Sequence, residues 1–249
     1  MDNNHLIGYK IFRPFENLKA FTTTKMSFQK TGVRFTGDEE SIYAENRRYL
    51  AGIIEISEKQ LVFPRQTHSS TVCHLDAVPE IEISDTDALV THKTGICLCV
   101  QTADCVPILL FDPQKKTIAA VHAGWRGTVG KIAADTVTKM VQEYGCGPQN
   151  ILAAIGPSIG PGVYEVGDEV TAAVRNSLPD AERALIKRNS GKHHFNLWEA
   201  NRQVLLESGM LEEHIEILGE CSFQHNNKYY SARREGAETG RMVSGIIMF

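Results

Sequence analysis

Several things are missing from this chain of 249 residues. No apolar run approaches the roughly 20 residues needed to cross a bilayer. Its opening, MDNNHLIGYK, has neither an apolar core nor a cleavage site, so an ordinary secretory leader is not expected in it. Cysteine is sparse, at positions 73, 97, 99, 105, 146 and 221, with no CxxC pair, so a disulfide scaffold is not expected. Together these predict free or metal-bound thiols in a reducing cytoplasm. Charge of one sign is also lacking: 26 Lys and Arg against 30 Asp and Glu leave a net charge of −4. Such a chain has no global field to attract nucleic acid. Glycine and proline are too few for a low-complexity chain, and no repeat of solenoid period occurs. There is no GxGxxG after a strand, no phosphate-binding GxxxxGK[ST], no GxSxG and no HExxH, so the common nucleotide, hydrolase and zincin signatures are excluded.

What remains is ordinary globular composition, with 42% hydrophobic and 22% charged residues. Residues 8–25 alternate loosely and read as strands. Residues 39–54 predict a helix with an acidic first turn, Tyr43, Arg47 and Leu50 lying along one side. From 60 to 122, LVFPRQTH, TVCHL, DALVT, GICLCVQT, VPILLFD and TIAAVHA predict short apolar strands, and FDPQKKT a hairpin turn. Residues 128–144 predict a helix stopped by Gly145. NILAAIGP predicts a buried strand, GDEVTAAVRNSL and NLWEANRQVLLESG helices, the second capped by Asn196, and NKYYSARR and MVSGIIMF final strands. Residues 176–195 read as a surface excursion. Clustered strands favour α+β over a doubly wound sheet, and residues 1–249 read as a single domain.

His68 closes LVFPRQTH, Cys105 lies between two apolar runs, and His122 closes TIAAVHA before the glycine-rich turn HAGWRGT. Strand ends beside such a turn can converge distant side chains. Two imidazoles and a thiolate suit zinc or copper, and three protein ligands leave a fourth position open, as in catalytic zinc sites. The same residues also read as hydrogen-bonded strand-end imidazoles and a small core thiol. Arg47, Arg126, Arg233, Arg234 and Arg241 are candidate phosphate or carboxylate contacts, or solvated surface residues. Asp85, Asp87 and Asp104 are candidate supports for the imidazoles, or turn residues. Cys73, Cys97 and Cys99 read as core, and Trp125 as packing.

The segments RQTHSSTV, DTDALVT, QTADCVPILLFD, VHAGWRGT, IGPSIGPGVYEVG, NLWEANRQVLLESG and SARREGAETGR, in this order, closely resemble the YfiH/YlmD family. It is also called the laccase-domain or multicopper polyphenol oxidoreductase family, and the YlmD-type members are most similar. The resemblance implies an α/β/β/α layered fold and a metal held by His68, Cys105 and His122, zinc or, on the laccase name, copper. It implies phosphorolysis of adenosine, inosine, guanosine and methylthioadenosine, with deamination of adenosine. It also brings a copper polyphenol oxidase, and a metal-free cysteine hydrolase or peptidoglycan-editing enzyme using Cys105 and His122, as alternatives. Where many members carry cysteines before YEVG, this chain has Gly162 and Val163, and 22–36 matches poorly, so no contacts transfer from there.

Overall fold

The computed structural model describes residues 5–28, 32–36, 40–188 and 191–249. In chain order the elements are β1 (Leu6–Ile7), β2 (Leu18–Thr23), α1 (Glu40–Ile54), β3 (Leu61–Val62), β4 (Val72–His74), β5 (Ala88–Thr91), β6 (Cys97–Thr102), β7 (Val106–Asp112) and β8 (Thr117–Ala123). There follow α2 (Trp125–Val129), α3 (Ile132–Tyr144), β9 (Leu152–Ile155), β10 (Glu165–Val166), α4 (Asp168–Ser177), α5 (Ala181–Ala184), β11 (Leu185–Lys187) and β12 (His193–Phe195). The chain ends with α6 (Leu197–Glu207), β13 (Ile215–Ile217), α7 (Ala232–Glu235) and β14 (Met242–Met248).

Two sheets stack face to face. One is five-stranded, in the order β1-β2-β14-β6-β3, and the other six-stranded, β13-β9-β7-β8-β5-β4. The alternation within each strand assigns the layers. Leu98 and Val100 of β6 meet Leu109 and Phe111 of β7 and Ile118 and Ala120 of β8 between the sheets. Cys97 and Cys99 turn the other way, against Leu50, Ala51 and Ile54 of α1. Val106, Ile108 and Leu110 face α3 and α6, through Val137, Met140 and Val204. The result is helix, sheet, sheet, helix: the expected α+β architecture of α/β/β/α type. His122 shares the inter-sheet face of β8 with Ile118 and Ala120, one residue from the strand end.

The β7–β8 hairpin closes at Asp112↔Thr117, where Asp112 Oδ1 accepts from the amides of Gln114 and Lys115. The N-cap of α6 is Asn196, whose side chain accepts from the amide of Glu199.

Six expectations are corrected. The helix predicted over 128–144 is two, because Lys131 is left-handed (φ 60°) and ends α2 before α3 begins. LVFPRQTH is strand only at Leu61–Val62: Pro64 lacks a ladder donor, and the chain leaves the sheet there. Residues 8–25 include a 3-10 turn at Lys10–Phe12 before β2. NKYYSARR is not a strand; Lys228 and Tyr229 both bond the Glu220 carboxylate, at 2.7 and 2.6 Å, and Ala232 starts α7. The excursion 176–195 carries α5 and, with β10, a small sheet β10-β12-β11. Cys73 is half-buried rather than core. Glu39, the expected first residue of α1, and residues 29–31 of the 22–36 stretch lie outside the described residues. Among the described residues no helix is long and apolar enough to cross a membrane.

Leu109 is fully buried between the sheets. Leu109→Ala is expected to lower the unfolding free energy by about 2–5 kcal/mol. A denaturant titration checks this, and a change below ~1 kcal/mol would mean the inter-sheet layer repacks freely.

Candidate metal centre and its cavity

Two chain crossings from the five-stranded to the six-stranded sheet bring the site together. The β3–β4 connection carries His68 and the β6–β7 connection carries Cys105, while His122 arrives on β8. Their ligand atoms all lie within 4.8 Å of one another, with His68 Nε2 3.7 Å from Cys105 Sγ. The two imidazole rings meet edge to face at 4.8 Å. In tetrahedral zinc coordination, with Zn–N about 2.0–2.1 Å and Zn–S about 2.3 Å, donor atoms stand about 3.3–3.6 Å apart. The His68–Cys105 pair stands near that spacing, and a small inward shift of the widest pair would bring all three donors onto a single small ion. Among the described residues the triad is the only group of three or more His, Cys, Asp or Glu with ligand atoms this close.

Asp87 organises the triad. Its carboxylate is buried and accepts from the amides of Thr67 (3.2 Å), His68 (3.1 Å) and Ser69 (2.7 Å), and from the Ser69 hydroxyl (2.7 Å). It also accepts from His122 Nδ1 at 2.7 Å, which leaves Nε2 as that ring's ligand atom. Asp85, at the next turn, accepts from the Thr67 hydroxyl. His68 is left-handed (φ 63°), a conformation this web of amide bonds enforces. Gly124 completes the packing: a Cβ there would stand 2.9 Å from His68 Cδ2 and 3.1 Å from Cys105 Sγ. Only glycine lets the turn after β8 pass this close to the ligands.

Burial opposes ionisation of both Asp87 and Cys105, yet His122 outweighs it and pulls Asp87 down to about 2 and Cys105 down to about 6. His122 is pushed up to about 9 despite its burial, by the Cys105 thiolate and by Asp87. Without metal, the triad is a thiolate–imidazolium pair between those two values.

The triad opens into a cavity of about 730 Å³. Arg233 and Arg241 line it, as do Arg34, Arg65, Gln66, Gln101, Asp104 and Tyr164. Asp104, left-handed at φ 86°, accepts from the Ser222 hydroxyl and the Arg233 amide, both at 2.6 Å, and so fastens two further segments beside Cys105. The Arg233 guanidinium lies 5.2 Å over the Tyr164 ring, and burial pushes that phenol up to about 12.

Three candidate arginines lie elsewhere. Arg47 sits over Phe63 and donates to the Phe35 carbonyl, Arg126 stacks on Trp125 at 4.4 Å, and Arg234 lies over Phe223 and donates to its carbonyl. None of them lines the cavity. Arg34, Arg65 and Tyr164 do; Arg65 opens the RQTHSSTV segment and Tyr164 lies in the VYEVG segment, while nothing in the sequence marks Arg34.

Asp87→Asn is expected to destabilise the protein by about 3 kcal/mol at pH 7. The carboxyl is depressed when folded, so its contribution is in place above the unfolded value of ~3.9 and is lost as pH falls through 2. Denaturant titrations from pH 7 to 2 should show the two proteins converging; a constant gap would contradict the assignment. In metal-free protein, Cys105 alkylation by iodoacetamide should rise with pH around a midpoint near 6, not the ~8.5 of an ordinary thiol. A midpoint above ~8 would mean that no imidazolium pairs with it.

Residues 21–249 match the family model described as multi-copper polyphenol oxidoreductase laccase. A Bacteroides thetaiotaomicron protein named purine nucleoside phosphorylase is 37% identical over 263 aligned positions, spanning 99% of this chain and 97% of its own. Adenosine deaminase RL5, from an unknown prokaryotic organism, is 37% identical over 247 positions, spanning 93% and 94%. The crystal structure of the Bacillus licheniformis protein YfiH superposes with a TM-score of 0.90 at 30% identity, over 100% of this chain and 98% of that one. Sequence, fold and site geometry agree, and the chain belongs to the YfiH/YlmD family of laccase-domain proteins.

Proposed function

We propose that this protein is a purine nucleoside phosphorylase that also deaminates adenosine, with zinc held by His68, Cys105 and His122. The observation that carries the reading is a three-ligand triad with a free corner, set in a cavity whose walls are basic. The substrates proposed are adenosine, inosine, guanosine and methylthioadenosine; the relatives' names, purine nucleoside phosphorylase and adenosine deaminase, support the class of purine nucleosides. The six unpaired cysteines suit a reducing cytoplasm.

In phosphorolysis a phosphate oxygen bonds to ribose C1′ as the C1′–N bond breaks, and the departing purine takes up a proton. Arg233 presents a guanidinium fork to the phosphate, and Asp104 fixes that residue's backbone. Tyr164 keeps its proton at neutral pH and can donate a hydrogen bond inside the cavity. Asp87 holds the proton on His122 Nδ1 and keeps the ring oriented. With an ion bound, the triad would supply Lewis-acid polarisation of a substrate or water oxygen. The same chemistry serves hydrolytic loss of the purine amine in the deaminase reaction.

Copper remains the ion suggested by the family description, and a His₂Cys set suits it too. A multicopper oxidase needs further clustered imidazoles, and among the described residues no second ligand group is present. The lowered Cys105 favours one other reading, a metal-free cysteine hydrolase with His122 as its base.

The test is release of adenine or hypoxanthine with and without phosphate. Turnover should require phosphate, fall more than ~100-fold in Cys105→Ala, beyond the ~10–100-fold typical of outer partners, and vanish on chelation. Phosphate-independent, chelator-insensitive turnover that needs Cys105 would establish the hydrolase instead.

A further inference from the structure

One wall of the cavity has no part in this scheme. Arg34 follows Val33, whose carbonyl accepts from the amide of Arg241 at 2.8 Å. The two guanidiniums are drawn together there: Arg34 Nη2 and Arg241 Nη2 both donate to the Ala237 carbonyl, at 2.8 and 3.0 Å. Among the described residues, Arg241 donates only to backbone carbonyls, those of Ala237, Thr239 and Gly240. Arg34 pairs only with Glu238, which stands almost fully in water and screens little. Burial, and then the neighbouring Arg34, push Arg241 below the usual guanidinium range. Two like charges crowded into a half-buried wall without an internal carboxylate are unfavourable unless an anion completes them.

The anions already in the cavity, Cys105 and Asp104, act on Arg241 only through space, and neither is bonded to it. The cavity's lining carboxylate, Asp104, already accepts from Ser222 and from the Arg233 amide. Arg233, the group assigned to the attacking phosphate, leans on Tyr164 and the Glu165 carbonyl, a different wall. Thr36 and Gln101, joined at 2.7 Å, add polar groups beside the arginine pair.

We propose that Arg34 and Arg241 form a second anion subsite, which holds a phosphoryl group carried by the substrate itself, so that nucleoside 5′-monophosphates are ligands of this cavity. The inference rests on the phosphorylase reading for the nucleoside half of the ligand. The anion half follows from the arginine pair alone.

Calorimetric titration of the purified protein with AMP, adenosine and inorganic phosphate tests it without turnover. AMP should bind at least tenfold more tightly than adenosine. Arg34→Gln and Arg34→Glu, on a half-exposed side chain, should remove that advantage and leave adenosine affinity as it was. Equal affinities for AMP and adenosine in the unaltered protein, or variants that weaken inorganic phosphate while sparing AMP, would overturn the proposal. Arg34-dependent AMP binding without base release from any nucleoside would leave the subsite standing and remove the phosphorylase.

Discussion

One buried carboxylate sets the geometry of everything else at this site. Asp87 gathers the amides of residues 67–69, the Ser69 hydroxyl and the His122 ring around two oxygen atoms. Removing a full charge from water is expensive, and several short, charge-assisted bonds offset that cost only when all form together. The web is therefore cooperative: it forces His68 into a left-handed conformation while fixing the buried His122 ring through Nδ1. Either ligand alone would be a surface histidine or a packed core histidine. Bound to one acid, they are presented to a common point.

The sandwich explains why that point lies where it does. Strands β3 and β6 belong to one sheet and β4 and β7 to the other, so both connections must bridge the inter-sheet gap. At that edge the apolar layer ends and polar backbone can be exposed. Cys105 rides one bridge and His68 the other. The thiol becomes acidic because an imidazolium faces it, and the imidazolium persists because Asp87 and the thiolate face it in turn. Gly124 gives the clearance that lets three side chains and a turn share the space. Around this floor the walls come from remote segments, residues 33–36 from near the start of the chain and 231–241 from near its end, and they supply the positive charge.

The layers were largely legible in the sequence, because the near-continuous apolar runs GICLCVQT, VPILLFD and TIAAVHA are what burial on both faces dictates. The triad was legible by position and by family resemblance, and Asp87 as a possible support. What could not be read was direction. Arg47, Arg126 and Arg234 were marked by charge and turn context, yet each guanidinium is captured by a nearby ring or carbonyl. Arg34 lies in irregular chain where no period applies, and it reaches the cavity only because β14 brings Arg241 beside Val33. NKYYSARR looked like a strand because its aromatics are apolar in pattern, but Glu220 rather than a ladder partner holds Lys228 and Tyr229. The break at Lys131 lies just before the apolar stripe of Ala133, Val137, Met140, Val141 and Tyr144, which does not mark where the helix begins.

The central claim is that two rings and one sulfur, set by Asp87, bind a single metal ion. X-ray absorption at the metal edge of the purified protein tests it most directly. The account predicts one sulfur at about 2.3 Å, imidazole scattering from two rings and one further light atom. A first shell without sulfur, or one unchanged in Cys105→Ala, would contradict it.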